Sequence, residues 1–216
     1  MKRFIWGFLL AILAPAQGMA WLDGQGAIRG SLPLQDWRSL RDRGVHKQDF
    51  DYSCGAASLA TLLQGYFGIE TSEQALLQRL PLHQGRTSFA DLATLVRVDY
   101  GLQAAGYALS FAQLQQLARP VLLYLSVRGQ DHFSVLRGID ANGAVWLADP
   151  SWGNRLLTRT QFEAIWYTRA AASHPGKILL LEPSTGGFTT RSDYYQSSRL
   201  AQEIRRADCQ FCRAGG

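Results

Sequence analysis

The sequence predicts an α+β fold, with helices first and an antiparallel sheet after them. Between residues 54 and 118, apolar residues recur at three-to-four spacing in segments closed by glycine or proline. From Val121 to Pro183 the apolar runs are short, and turn residues bound them. Two of these runs are separated by "DANG", residues 140–143, an Asn-Gly turn that favours a hairpin.

The elements follow in order. Residues 21 to 47 hold Gly24, Gly26, Gly30 and Pro33, and read as an extended lead-in on the surface. A helix begins at Cys54, where Ala57, Leu59, Ala60, Leu62, Leu63 and Tyr66 share its apolar pattern, and Gly68 stops it. A second runs from Thr71, with Gln74 completing a capping box, to Leu80 before Pro81. A third runs from Ser88, with Asp91 three residues on, to Tyr100 before Gly101. A short fourth, "SFAQLQQLA", ends against Pro120. Strands follow at "VLLYLSV", "HFSVLRGI", "AVWLAD", "RLLT" and "KILLLEP", with a helix "TQFEAIWYT" between the last two. Residues 184–216 turn polar around one amphipathic stretch, Ser192 to Arg206, and read as a tail outside the core.

A chain of 216 residues, 47% apolar and 18% charged, is long enough for one domain with a sizeable core. The net charge of +5 comes from scattered arginines, without a basic cluster or an aromatic-basic motif, so no nucleic-acid partner is expected. Residues 1–20 have the layout of a secretory signal peptide: Lys2 and Arg3, an apolar stretch from Phe4 to Ala14, then small residues up to Ala20. That stretch is too short for a comfortable bilayer span, and no other segment approaches such a length. Cleavage after Ala20 leaves an exported chain starting at Trp21, with its domain at residues 21–183 and no permanent membrane span; the alternative is an uncleaved membrane anchor.

Export changes how three cysteines are read. Cys209 and Cys212 form a C-x-x-C that can pair with itself; a zinc site needs two further ligands, and no second pair exists. No metal or cofactor is expected. Cys54 is left over. Either it is a small apolar filler, or it is a nucleophile at a helix N-terminus, where the dipole favours a thiolate.

Of the four histidines, His46 and His83 fall in loops and His174 precedes a proline. His132 opens a strand after "RGQD", where it either points into a cleft or caps the sheet edge. Asp149 ends the next strand, and a tight antiparallel hairpin brings those two ends together. A carboxylate there fixes an imidazole tautomer; the plainer reading is a turn aspartate. Gln48, six residues before Cys54, is a candidate oxyanion donor beside the backbone N–H of the nucleophile, or an ordinary surface glutamine.

Taken together, "QDFDYSCGAAS", "DHFSVLRGI" and "VWLADPSWGN" resemble the C39 family of papain-like cysteine peptidases. The resemblance covers roughly residues 45 to 170. It implies Gln48 as the oxyanion residue, Cys54 as the nucleophile, His132 as the base and Asp149 as the orienting acid. It also implies a helical lobe bearing the cysteine and a sheet lobe bearing the histidine and aspartate. Without an export ATPase or a transmembrane bundle, and with a signal peptide, the layout is similar to stand-alone exported members of functional-amyloid secretion operons. The expectation is a periplasmic cysteine peptidase acting on a protein or peptide, an amyloid subunit or an export component. The rival is a non-catalytic binding or chaperone protein of the same fold.

Overall fold

The computed structural model describes residues 21–22, 28–29, 36–81, 87–169, 172–184 and 189–195. The chain divides into two units, residues 1–40 and 41–216. In the first, β1 (Trp21–Leu22) pairs antiparallel with β2 (Ile28–Arg29). A short helix, α1 (Trp37–Arg41), ends the lead-in, where extended chain is the sequence expectation.

The second unit is built on a six-stranded antiparallel sheet. Its strands are β3 (Leu102–Leu109), β4 (Leu122–Val127), β5 (Gln130–Ile139), β6 (Val145–Asp149), β7 (Gly153–Leu157) and β8 (Gly176–Pro183), in the order β3-β8-β4-β5-β6-β7. On one face pack α2 (Cys54–Phe67), α3 (Glu73–Leu77) and α4 (Phe89–Asp99). On the other lie α5 (Phe111–Leu117) and α6 (Arg159–Trp166). Strand alternation produces the two cores. Leu122, Leu179 and Leu181 meet α2 and its neighbours, while Leu123, Ile178 and Leu180 meet Phe111, Leu114, Phe162 and Trp166.

Most local signals hold. Gly68 takes the left-handed conformation (φ 66°) and its N–H closes α2 on the carbonyl of Leu63. Ser88 and Asp91 form the capping box of α4, and Ser110 with Gln113 does the same for α5. Around "DANG", Asp140 Oδ1 accepts from the N–H groups of Asn142 and Ala144, fixing the β5–β6 hairpin. The second helix is shorter than its pattern. Its cap is Ser72, not Thr71, and the Gln74 side chain donates to Asp49 instead of closing a box. Strand β3 lies where the sequence shows only the gap between two helices. It pairs with β8 along its whole length, from Leu102 opposite Pro183 to Leu109 opposite Gly176.

The polar tail is corrected at one residue. Tyr194 is buried within the α2-side core, although its segment reads as an appendage. Its ring fills the space over Gly65 of α2, so close that a methyl group at position 65 would collide with it. The Arg137 guanidinium of β5 covers the ring at 4.5 Å, and Arg191 N–H donates to Tyr66 O at 2.8 Å. The signal peptide, His83, most of the amphipathic stretch, and Cys209 with Cys212 lie outside the described residues.

Candidate active site

Cys54 is the first residue of α2 and is buried. A helix leaves its first N–H groups without intrahelical acceptors, and a side-chain cap normally takes one. Here Ser53, at the cap position, makes no cap bond. Its hydroxyl turns back to Phe50 instead, accepting from the N–H at 3.1 Å and donating to the carbonyl at 2.7 Å. The N–H groups at the start of α2 therefore stay available beside the sulfur. Gly55 follows, and the Phe133 ring stands 3.3 Å from where a Cβ would be, so a larger residue would crowd the ring next to His132.

His132 arrives on β5. The β4–β5 hairpin turns tightly through Arg128 and Gly129, both at positive φ (54° and 77°), which is the type I′ pattern. Val135 pairs with Ala148 across β5 and β6, so His132 and Asp149 lie just beyond the last paired residues. His132 Nε2 is 3.2 Å from Asp149 Oδ1. A hydrogen bond also joins the imidazole to the Cys54 side chain. Burial alone would lower the imidazole's pKa. The bonds to Asp149 and Cys54 and their charges outweigh that and push it up to about 9.

Asp149 is fully buried. Its Oδ1 also accepts from the backbone N–H groups of Ser151 (2.9 Å) and Trp152 (3.1 Å), and Arg155 Nη1 lies 3.5 Å from Oδ2. Burial pushes its carboxyl up, but the His132 bond and charge, with the two backbone donors, hold it below the usual aspartate value. The arrangement brings a carboxylate, an imidazole and a cysteine side chain together.

Gln48 is brought to the same place from a different segment. Its backbone N–H donates to Pro150 O at 3.1 Å, and its Oε1 accepts from Ser151 Oγ at 2.7 Å. Its Nε2 donates to Phe50 O at 2.9 Å. The next residue is anchored as well: Asp49 N–H meets both oxygens of buried Glu73, at 3.0 and 3.1 Å. All four residues singled out in the sequence thus converge on the start of α2 and the β6–β7 turn.

Among the described residues, the other candidates do not converge there. His46 N–H donates to Thr61 Oγ1, and its ring bonds Gln64, so it fastens the loop to α2. His174 is exposed beside Ser173. Trp146 is a core residue, whereas Trp152 is exposed with Arg155 near its ring. Sequence reading missed Ser151 and Arg155. Arg155 was within reach of it, because a tight turn after Asp149 sets Arg155 opposite Leu147, two residues before the carboxylate.

The site can be set beside known proteins. Residues 42–177 match the model of the peptidase C39 family. The chain is 34% identical over 176 residues to a probable functional amyloid protease, FapD, of Pseudomonas aeruginosa, covering 77% of this chain and 76% of that protein. A protein of the same description from Pseudomonas fluorescens is 29% identical over 170 residues, covering 73% and 74%. Among solved structures, the fold is similar to a double glycine motif protease from an AMS/PCAT transporter in complex with the leader peptide. That match has a TM-score of 0.53 and 24% identity, over 67% of this chain and 96% of the other. It is also similar to the peptidase domain of Streptococcus ComA, with a TM-score of 0.55 and 16% identity, over 65% and 98%. On the family match and the relative from Pseudomonas aeruginosa, this chain belongs to the peptidase C39 family.

Proposed function

We propose that this protein is an exported cysteine peptidase in which Cys54 attacks, His132 moves the proton, Asp149 orients the imidazole, and Gln48 with the Cys54 backbone N–H receives the oxyanion. The observation that carries the reading is the position of His132, between a buried carboxylate and a thiol at an uncapped helix start. With Nε2 facing Asp149, Nδ1 is left to serve Cys54.

The steps follow from this geometry. Cys54 gives its thiol proton to His132, Sγ forms a bond to the scissile carbonyl carbon, and the carbonyl π pair moves onto oxygen. The oxyanion is held by hydrogen-bond donors fixed before the reaction begins. When it collapses, the C–N bond breaks and the amine leaves with the proton from His132. Water then gives a proton to His132, attacks the thioester and releases the acid, which returns the sulfur to its starting state. Asp149 keeps the ring aligned throughout and stabilises its charged form.

The substrate is a protein or peptide of a functional-amyloid secretion system, either the amyloid subunit or an export component. The signal-peptide layout of residues 1–20 and the functional-amyloid relatives support this reading and a periplasmic location. Cys54→Ala should leave circular dichroism and the urea midpoint close to wild type. It should abolish the cleavage seen as new termini in mass spectrometry of the exported proteins. A Cys54→Ala strain with the same termini and normal amyloid export overturns the peptidase reading in favour of a non-catalytic binder.

A further inference from the structure

We propose that Ser151 is a positioning residue that fixes the Gln48 amide for oxyanion binding, a role that rests on the peptidase reading above. The last torsion of a glutamine side chain is broad and nearly two-fold, so an amide on such a stem does not hold its plane unaided. Here both ends of the amide are fastened. Phe50 O only accepts, so the bond at 2.9 Å holds the Nε2 end there. Ser151 Oγ donates to the Oε1 end at 2.7 Å. With one N–H of Nε2 used by Phe50, the second is the donor left for a substrate oxygen.

Ser151 also stands at the junction of the two halves of the site. Its backbone N–H serves Asp149 Oδ1 at 2.9 Å, while its hydroxyl serves Gln48 across 103 residues of sequence. The two tasks are chemically separate. Removing the hydroxyl leaves the backbone bond to Asp149 intact, as well as the Gln48 N–H to Pro150 O bond that stitches the loops together. Ser151 is exposed, so its truncation opens no cavity. The substitution thus isolates the orientation of one amide.

The test compares two reagents on wild type, Ser151→Ala, Ser151→Thr, Gln48→Ala and the double variant Gln48→Ala/Ser151→Ala. A short peptide aldehyde ending in glycinal forms an Sγ–C bond as its carbonyl π pair moves onto oxygen, and so uses the oxyanion donors. Iodoacetamide forms an Sγ–C bond with loss of iodide and uses none. Ser151→Ala should weaken aldehyde binding about tenfold and Gln48→Ala about a hundredfold, with alkylation changed less than about twofold. The double variant should match Gln48→Ala alone, and Ser151→Thr should restore wild-type binding. The assignment is overturned if Ser151→Ala binds aldehyde like wild type while Gln48→Ala does not. It is equally overturned if Ser151→Ala slows both reagents alike, because that marks a general structural role. A Gln48→Ala variant that binds aldehyde like wild type, or a wild type that alkylates but binds no aldehyde, overturns the peptidase reading itself.

Discussion

Helices α2 and α6 lie against opposite faces of one sheet, and they begin in opposite ways. Thr158 caps α6 with a full capping box, its hydroxyl accepting from Gln161 N–H while Gln161 returns the bond. Ser72, Ser88 and Ser110 cap α3, α4 and α5 with their side chains as well. Ser53, the corresponding residue of α2, does not. The sides also differ in what they bury. Within α5 and α6 the buried residues are Phe111, Leu114, Phe162 and Trp166, all apolar. The α2 side buries Ser58, Thr61 and Glu73, with Asp149 at its edge. One face is arranged for stability. The other forgoes a side-chain cap, at a cost of about 1 kcal/mol, and leaves donors open beside Cys54.

The comparison breaks most visibly through the apolar face. Trp166 is fully buried, packs on Phe162 at 5.1 Å between ring centroids, and donates from Nε1 to Lys177 O at 3.1 Å. Trp166→Ala should cost about 3–5 kcal/mol, read as a lower urea midpoint. The rate of Cys54 alkylation in the protein that remains folded should not change. A loss of thiol reactivity ahead of unfolding would show that the two faces are not independent.

A titration sharpens it next. Pairing raises His132 from its ordinary 6.5 to about 9, so its contribution to stability is complete below about 6.5 and is lost as pH rises through about 9. Asp149 is held below its ordinary 3.8, so its contribution is present above that value and is lost as pH falls through the lowered one. The difference in urea midpoint between wild type and His132→Gln should therefore shrink as pH rises from 6.5 to 9.5. Trp166→Ala should show no such convergence with wild type. A constant His132→Gln difference across that window would mean the imidazole is not held charged.

The smallest effect lies at the caps. Thr158→Ala should cost about 1 kcal/mol in urea unfolding, with aldehyde binding and alkylation both unchanged. Equal losses of reactivity and stability in that variant would remove the contrast between the two helix starts.

How far the sequence reveals this arrangement depends on how local each determinant is. The stop at Gly68, the capping box of Ser88 and Asp91, and the hairpin at "DANG" are local, and they are legible. Cys54, His132 and Asp149 are legible too, because a helix start and a single tight hairpin are enough to bring them together. Strand β3 is not. Of its residues only Leu102 and Ala104 are buried, so an edge strand that leans on β8 through its backbone leaves little apolar pattern. The bond between Ser151 and Gln48 is invisible for a different reason, since two polar residues so far apart in sequence carry no mark of their meeting. Tyr194 is hidden in a polar segment, and the space it fills exists only because position 65 of a distant helix is glycine.

The place of Tyr194 also bears on timing. A chain made from its amino end has the whole of α2 and every strand of the sheet available by residue 183. The notch over Gly65 stays open until residue 194 follows. Until then the helix that starts at Cys54 lacks one wall of its packing, and the guanidinium of Arg137 has no ring to cover. Among the described residues, the last piece of the core is therefore delivered near the end of synthesis. A chain that ends anywhere between residues 184 and 193 has every strand of the sheet, but its helix at Cys54 lacks that clasp.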